Sequence, residues 1–177
     1  MYKITKTTTV TCVTLLALLG ASSCSEVKKE STAKPWQMGE KVPLGPFTYS
    51  VIDSEWKTDV MTAKGRLDPK QRFLVLRLTV ANSAAEPKAI SYLAIRNDKG
   101  EETTEVQDLE GVEGWMGVLR DIPASGSTTG TIIFDVPLGH YRLVLNDGGA
   151  AGEERLSLVD LPINLRPGED DKPITGK

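Results

Sequence analysis

The stretch R-F-L-V-L-R-L-T-V, Arg72 to Val80, decides the fold. Leu74, Leu76, Leu78 and Val80 fall on one side at period two, while Phe73, Val75, Arg77 and Thr79 fall on the other. That alternation is the mark of a strand inside a sheet. The all-apolar side must be covered by a second layer, whereas the mixed side can face loops or water. Asn82-Ser83 then ends the strand with turn formers. The spacing therefore predicts the central strand of a sandwich.

Working outward, Thr128 to Val136 is the next clear strand, with Gly130, Ile132, Phe134 and Val136 facing one way and Pro137 ending it. Phe47 to Ser54 alternates in the same manner. Gly39 to Pro46 is punctuated by prolines, which suit an edge strand and not a central one. Ala89 to Asn97 is apolar enough for a further strand. Asn97-Asp98-Lys99-Gly100 predicts a hairpin built on a type I turn with Gly100 in the left-handed conformation, and Glu101 to Val106 returns as an exposed strand. His140 to Asn146 places Tyr141, Leu143 and Leu145 on one face. Leu156 to Leu165 makes the last strand, where the change of phase from Leu156 and Leu158 to Val159, Leu161 and Ile163 predicts a bulge near Leu158. Seven or eight short strands with no long helical period give an all-β, antiparallel sandwich.

Two long excursions interrupt this framework. Lys57 to Gln71 is polar, with Gly65 and the turn-like Asp68-Pro69. Gln107 to Arg120 carries Gly111, Gly114 and Gly117 and is expected to be a loop with a short helical turn. Long loops on a rigid sheet are where binding surfaces are commonly built. Trp56, Trp115 and Met116 are therefore the candidate partner-binding residues, because tryptophan combines a large apolar face with one donor and dominates many interfaces. The competing reading puts the same three side chains into core or edge packing.

The N-terminus carries Lys3 and Lys6, then a mostly apolar run from Val10 to Ala21, then small residues before Cys24. This is the pattern of a secretion signal, and the run is shorter than the roughly 20 apolar residues of a spanning helix. Ala21-Ser22-Ser23-Cys24 resembles a bacterial lipobox, with Ala21 standing where Leu is more usual. The resemblance implies cleavage before Cys24 and diacylglyceryl attachment to its sulfur, the alternative being ordinary secretion with a free thiol. Acyl chains stabilise membrane association by about 0.8 kcal/mol per buried methylene, so several at one terminus hold a domain on a bilayer. Ser25 after the cysteine resembles the outer-membrane sorting default of a Gram-negative host. The expected organisation is a signal at 1–23, a flexible polar tether at 24–35, a sandwich at 36–165 and a disordered charged tail at 166–177.

Composition excludes more than it selects. The 177 residues, 40% hydrophobic and 25% charged, suit one domain. A formal charge of −3, which loss of Lys3 and Lys6 makes more acidic, argues against nucleic acid as a partner. Of the two cysteines, Cys12 lies inside the signal, so the mature chain can form no internal disulfide. His140, the single histidine, sits in L-G-H-Y at a strand start and reads as a solvated turn residue. No credible Ser-His-Asp arrangement exists, and His and Cys are too few for zinc. The acidic segment Glu101, Glu102, Glu105, Asp108, Glu110 and Glu113 matches no defensible calcium loop and reads as a solvated hairpin face. No enzyme activity, cofactor or metal is expected.

G-E-K-V at Gly39 to Val42, R-F-L-V-L-R-L-T-V-A-N at Arg72 to Asn82, A-I-R-N-D-K-G-E-E at Ala94 to Glu102, and P-A-S-G-S-T-T-G-T-I-I-F-D-V-P at Pro123 to Pro137 together form a pattern. It is similar to the bacterial domain of unknown function 4352, an immunoglobulin-like, telokin-like domain of secreted proteins and lipoproteins. The resemblance implies an immunoglobulin-like β-sandwich placed outside the cytoplasm and brings no catalytic residues. The expectation is a lipid-anchored cell-envelope lipoprotein whose domain is a non-catalytic binding module for an envelope protein or a small ligand. The alternative is a structural or accessory lipoprotein of an envelope complex.

Overall fold

The computed structural model describes residues 29–30, 34–118, 120–149 and 153–163. Fourteen strands form among them: β1 (Lys29–Glu30), β2 (Trp36–Gln37), β3 (Val42–Leu44), β4 (Phe47–Lys57), β5 (Val60–Thr62), β6 (Gly65–Leu67), β7 (Arg72–Asn82), β8 (Lys88–Ala89), β9 (Ala94–Asn97), β10 (Glu102–Thr104), β11 (Asp121–Ile122), β12 (Ser127–Val136), β13 (Tyr141–Asn146) and β14 (Arg155–Leu161). The excess over the seven or eight expected comes from pairings of two or three residues within loops and at edges. No helix among the described residues is long and apolar enough to cross a membrane, and the apolar run Val10 to Ala21 lies outside them.

Two sheets face each other. One has the order β12-β7-β4-β3, and the other has β1-β14-β13-β9-β10 with β2 also on β14. The central strand of the first sheet is β7, flanked by β4 and β12 over its whole length. Leu74, Leu76, Leu78 and Val80 are all buried, as the alternation requires, and they meet Ile95, Leu143, Leu145 and Val159 of the opposite sheet in one core. Pro43 sits in β3, the sheet's edge, where a missing amide proton breaks no ladder. Gly100 has φ +84° at the predicted hairpin corner, and its amide donates to the Asn97 carbonyl at 3.0 Å.

Several expectations change in detail. The run Ala89 to Asn97 is not one strand: Lys88–Ala89 pairs with β11 and β9 begins only at Ala94. Ile90 and Leu93, between them, fill the core from irregular backbone. Strand β14 pairs with β13 in unbroken register from Leu156 to Leu161, so it has no bulge at Leu158. Its phase change reflects two partly apolar faces, with Val159 and Leu161 in the core and Leu158 half-buried on the other side. The register shift instead lies in β4, between Val51 and Asp53, and leaves Ile52 half-exposed. Within the stretch expected to be a tether, Lys29–Glu30 runs parallel to Arg155–Leu156 as β1.

Candidate binding groove

The outer face of the first sheet carries Phe73, Val75, Arg77 and Thr79, the mixed side of the central strand. Both long loops fold over this face. Val60, Phe73, Leu109 and Ile133 form a second buried apolar cluster there, with Leu67, Val75, Val106, Val112 and Trp115 packed around it. The excursion 57–71 is ordered by a hairpin of its own, β5 against β6. The excursion 107–120 contains turns but no helix among its described residues. The two loops clasp each other: the Ala63 amide donates to the Glu110 carbonyl at 2.6 Å, and Lys64 Nζ reaches the Asp108 carboxylate at 2.7 Å. Gly111, at φ +91°, makes this contact fit, since a Cβ there would lie 2.3 Å from the Ala63 nitrogen.

The far end of the second loop is fixed by charge. Glu105 and Arg120 are fully buried and paired, with Arg120 Nη1 donating to Glu105 Oε1 at 2.8 Å and Nη2 to Oε2. Arg120 Nε also donates to the Gly117 carbonyl at 2.7 Å, and its guanidinium stacks 5.6 Å from the Tyr92 ring centre. Glu105 Oε1 accepts the Leu93 amide at 2.7 Å. Glu105 is therefore not part of a solvated acidic face. The other acids of that segment are dispersed, Glu102 to Arg96, Asp108 to Lys64 and Glu101 to the Asn97 amide group. No group of three or more His, Cys, Asp or Glu among the described residues could hold a metal.

The second loop and Val106 just before it cover the free edge of β12. The Thr131 amide donates to the Gly114 carbonyl at 2.7 Å, the Thr131 carbonyl accepts from Met116 at 3.1 Å, and the Ile133 carbonyl accepts from Val106 at 2.8 Å. An edge strand of ten residues is thereby closed along its middle. Between this covered edge and β4 an open groove of about 680 Å³ remains. Its floor is Val75 and Arg77, its β12 wall carries Thr129, Thr131 and Ile133, and its β4 wall carries Asp53, Glu55 and Lys57. Met61, 63% exposed, also lines it from the first loop, and Glu113 stands on the loop wall. Lys57 pairs with Glu55 at 3.2 Å and Arg66 with Asp59 at 3.0 Å.

The candidate residues read from the sequence, Trp56, Trp115 and Met116, fall beside the groove, and none of these three lines it. Trp56 is half-buried against the main core, its ring 6.2 Å from Tyr141 and tilted by 49°. Trp115 packs on the second cluster with its Nε1 buried and without a hydrogen-bond partner among the described residues. Met116 packs on the main core and over Gly130, where a Cβ would lie 2.3 Å from its Cγ. Their neighbours Lys57 and Gly114 do line the groove. Cys24 lies outside the described residues. The lining groups Asp53, Glu55, Arg77 and Thr131 were not singled out in the sequence, although Arg77 on the mixed face of the central strand was their signal.

His140 is not a solvated turn residue. Its Nδ1 lies 2.9 Å from Asp98 and its Nε2 3.0 Å from Asp160, while Arg142 approaches the same carboxylates at 3.6 and 3.5 Å. The hydrogen bond to Asp98 is the main cause of a raised imidazole pKa, opposed by partial burial and helped by the charge of Asp160. Asp98 is lowered in turn, chiefly by the same bond.

These features define a two-layered all-β sandwich with a loop-framed groove on one outer face. The chain belongs to the family described as a domain of unknown function, DUF4352, whose profile matches residues 36–155. Among solved structures, the yjhA protein from Bacillus subtilis is similar at 17% identity with a TM-score of 0.56, over 72% of this chain and 99% of that one. An uncharacterised β-sandwich protein from Clostridium difficile is similar at 12% identity with a TM-score of 0.47, over 76% and 99%. Comparison with curated proteins gives no match.

Proposed function

We propose that this protein is a lipid-anchored extracytoplasmic lipoprotein whose sandwich is a non-catalytic binding module, and that the groove between β4 and the loop 112–114 receives its partner. The observation that carries this reading is the clasp of the two long loops over the outer sheet face, which leaves a concavity of mixed polarity on a rigid floor. Concave sites with an apolar base and a few placed polar groups are the usual form of binding sites. The anchor rests on the signal and on Cys24.

Two measurements test it. Cys24→Ala should abolish acylation and release the protein from the membrane fraction; radiolabelled palmitate incorporated equally by the variant would refute the anchor. A photoreactive side chain replacing Met61 at the groove mouth should crosslink a partner in cells, and one replacing Lys99 on the distal hairpin should not. Equal recovery from both positions would remove the groove from the binding surface and favour an accessory, structural role in an envelope complex.

A further inference from the structure

We propose that the occupant of the groove is an extended segment of a partner protein bearing a lysine or arginine two residues from an apolar side chain, with the cation held between Glu113 and Glu55. This rests on the groove being the binding site. The lining holds four carboxylates, Asp53, Glu55, Asp59 and Glu113, against two cations, Lys57 and Arg77. Asp53 and Arg77 are cross-strand partners in the register, so their charges offset locally. Asp59 is already engaged by Arg66. The acidic excess is left on opposite walls, at Glu113 on the loop and at Glu55 on β4.

The Lys57–Glu55 pair does not block this site. Both side chains are nearly half exposed, and exposed ion pairs contribute little, so an incoming cation can displace Lys57 at small cost. Glu113 has no ion-pair partner among the described residues. Beside this acidic gap, the part-exposed Val75 and Val112 and the exposed Met61 offer an apolar surface. Successive side chains of an extended segment point to opposite sides, and those two residues apart stand about 7 Å from each other. A cation and an apolar group at that separation can reach the acidic walls and the apolar side chains beside them together.

Other ligand classes fit less well. An anion would meet the carboxylate excess. A nucleobase needs an aromatic platform, and no aromatic side chain among the described residues lines the groove. A metal ion lacks a ligand cluster among the described residues. The carboxylate excess of the site thus selects a cationic group, and the apolar side chains beside it select one carried on a chain.

The test uses the full-length protein in detergent and two fluorescein-labelled heptapeptides, one with lysine and valine two residues apart on the same face and serine between them, and one with glutamate in place of lysine. Fluorescence anisotropy should show saturable binding of the lysine peptide and none of the glutamate peptide, with affinity falling as salt is raised. Glu113→Lys should weaken the lysine peptide by about tenfold or more, equivalent to about 1.4 kcal/mol. Glu153→Lys, the same charge change on an exposed residue outside the groove, should leave affinity within about twofold. Equal binding of both peptides, or equal effects of the two variants, would overturn the proposal. If crosslinking from Met61 recovers a partner whose contacting segment carries no lysine or arginine, the groove stands as a site and the basic occupant is wrong. If Met61 recovers nothing beyond Lys99, the site itself is wrong.

Discussion

Arg120 lies against Glu105 in a two-pronged ion pair with side-chain exposures of 1% and 0%. The pair joins the two ends of the loop that walls the groove. It also satisfies the Leu93 amide and the Gly117 carbonyl, so it fixes backbone as well as charge. Removing one partner of such a pair strands the other without water, which typically costs about 3 to 5 kcal/mol. Glu105→Ala should therefore lower unfolding stability by that amount in urea titration. Replacing both residues by apolar side chains of similar volume should cost less than Glu105→Ala alone. A double variant at least as damaging as the single one would mean that the hydrogen bonds to Leu93 and Gly117, not the stranded charge, set the loss.

The two faces of β7 should differ sharply. Leu76 has no exposed surface and lies at the centre of the main core. Leu76→Ala should cost about 2 to 5 kcal/mol through the cavity it leaves. Arg77 is exposed on the outer face, and Arg77→Ala should stay within about 0.5 kcal/mol. Chemical denaturation of both variants checks the face assignment. Equal losses would contradict it.

How much was legible follows from which residues repeat. Leu74 to Val80 and Gly130 to Val136 alternate without interruption, and each pair of faces is where the period puts it. Gly100 was legible because a hairpin corner demands positive φ. The second cluster was not, because Val60, Phe73, Leu109 and Ile133 come from four separate places and no local period links them. Phe73 and Val75 on the mixed face of the central strand were its trace. Glu105 was hidden inside a run of acids. Only the packing of Arg120 from the other end of the loop takes it out of solvent. The groove inherits this limit, since its floor is a strand and one of its walls is a loop.

Stability should respond to pH through His140. The imidazole pKa is raised above its ordinary 6.5, mainly by the hydrogen bond to Asp98. Its contribution is therefore fully present below 6.5 and is lost as pH rises through the raised value. Asp98 is lowered below its ordinary 3.8, so its contribution is present above 3.8 and is lost as pH falls through the depressed value. The bridge from the hairpin corner to β14 should accordingly be strongest between these two ordinary values. Unfolding midpoints across pH should show a decline on the alkaline side that His140→Gln flattens. A histidine titration by NMR at or below the ordinary value would contradict this account.

The clasp between the loops rests on Gly111, and a comparison with Gly117 separates crowding from backbone strain. Both have positive φ, +91° and +74°, so alanine at either position adopts a conformation that costs about 1 to 2 kcal/mol. At Gly117 nothing lies within 4 Å of an added Cβ, so that strain should be the whole effect. At Gly111 the Cβ would lie 2.3 Å from the Ala63 nitrogen and 2.8 Å from its Cα, backbone atoms that cannot rotate away. The loops must separate, and the bond from the Ala63 amide to Glu110 goes with them. Gly111→Ala should thus destabilise more than Gly117→Ala and should speed hydrogen exchange at the Ala63 amide, whereas Gly117→Ala should leave that amide protected. Because the same contact frames the groove, Gly111→Ala should also reduce crosslinking from Met61. Equal stabilities with unchanged Ala63 protection would show that the loops are held by the second apolar cluster alone.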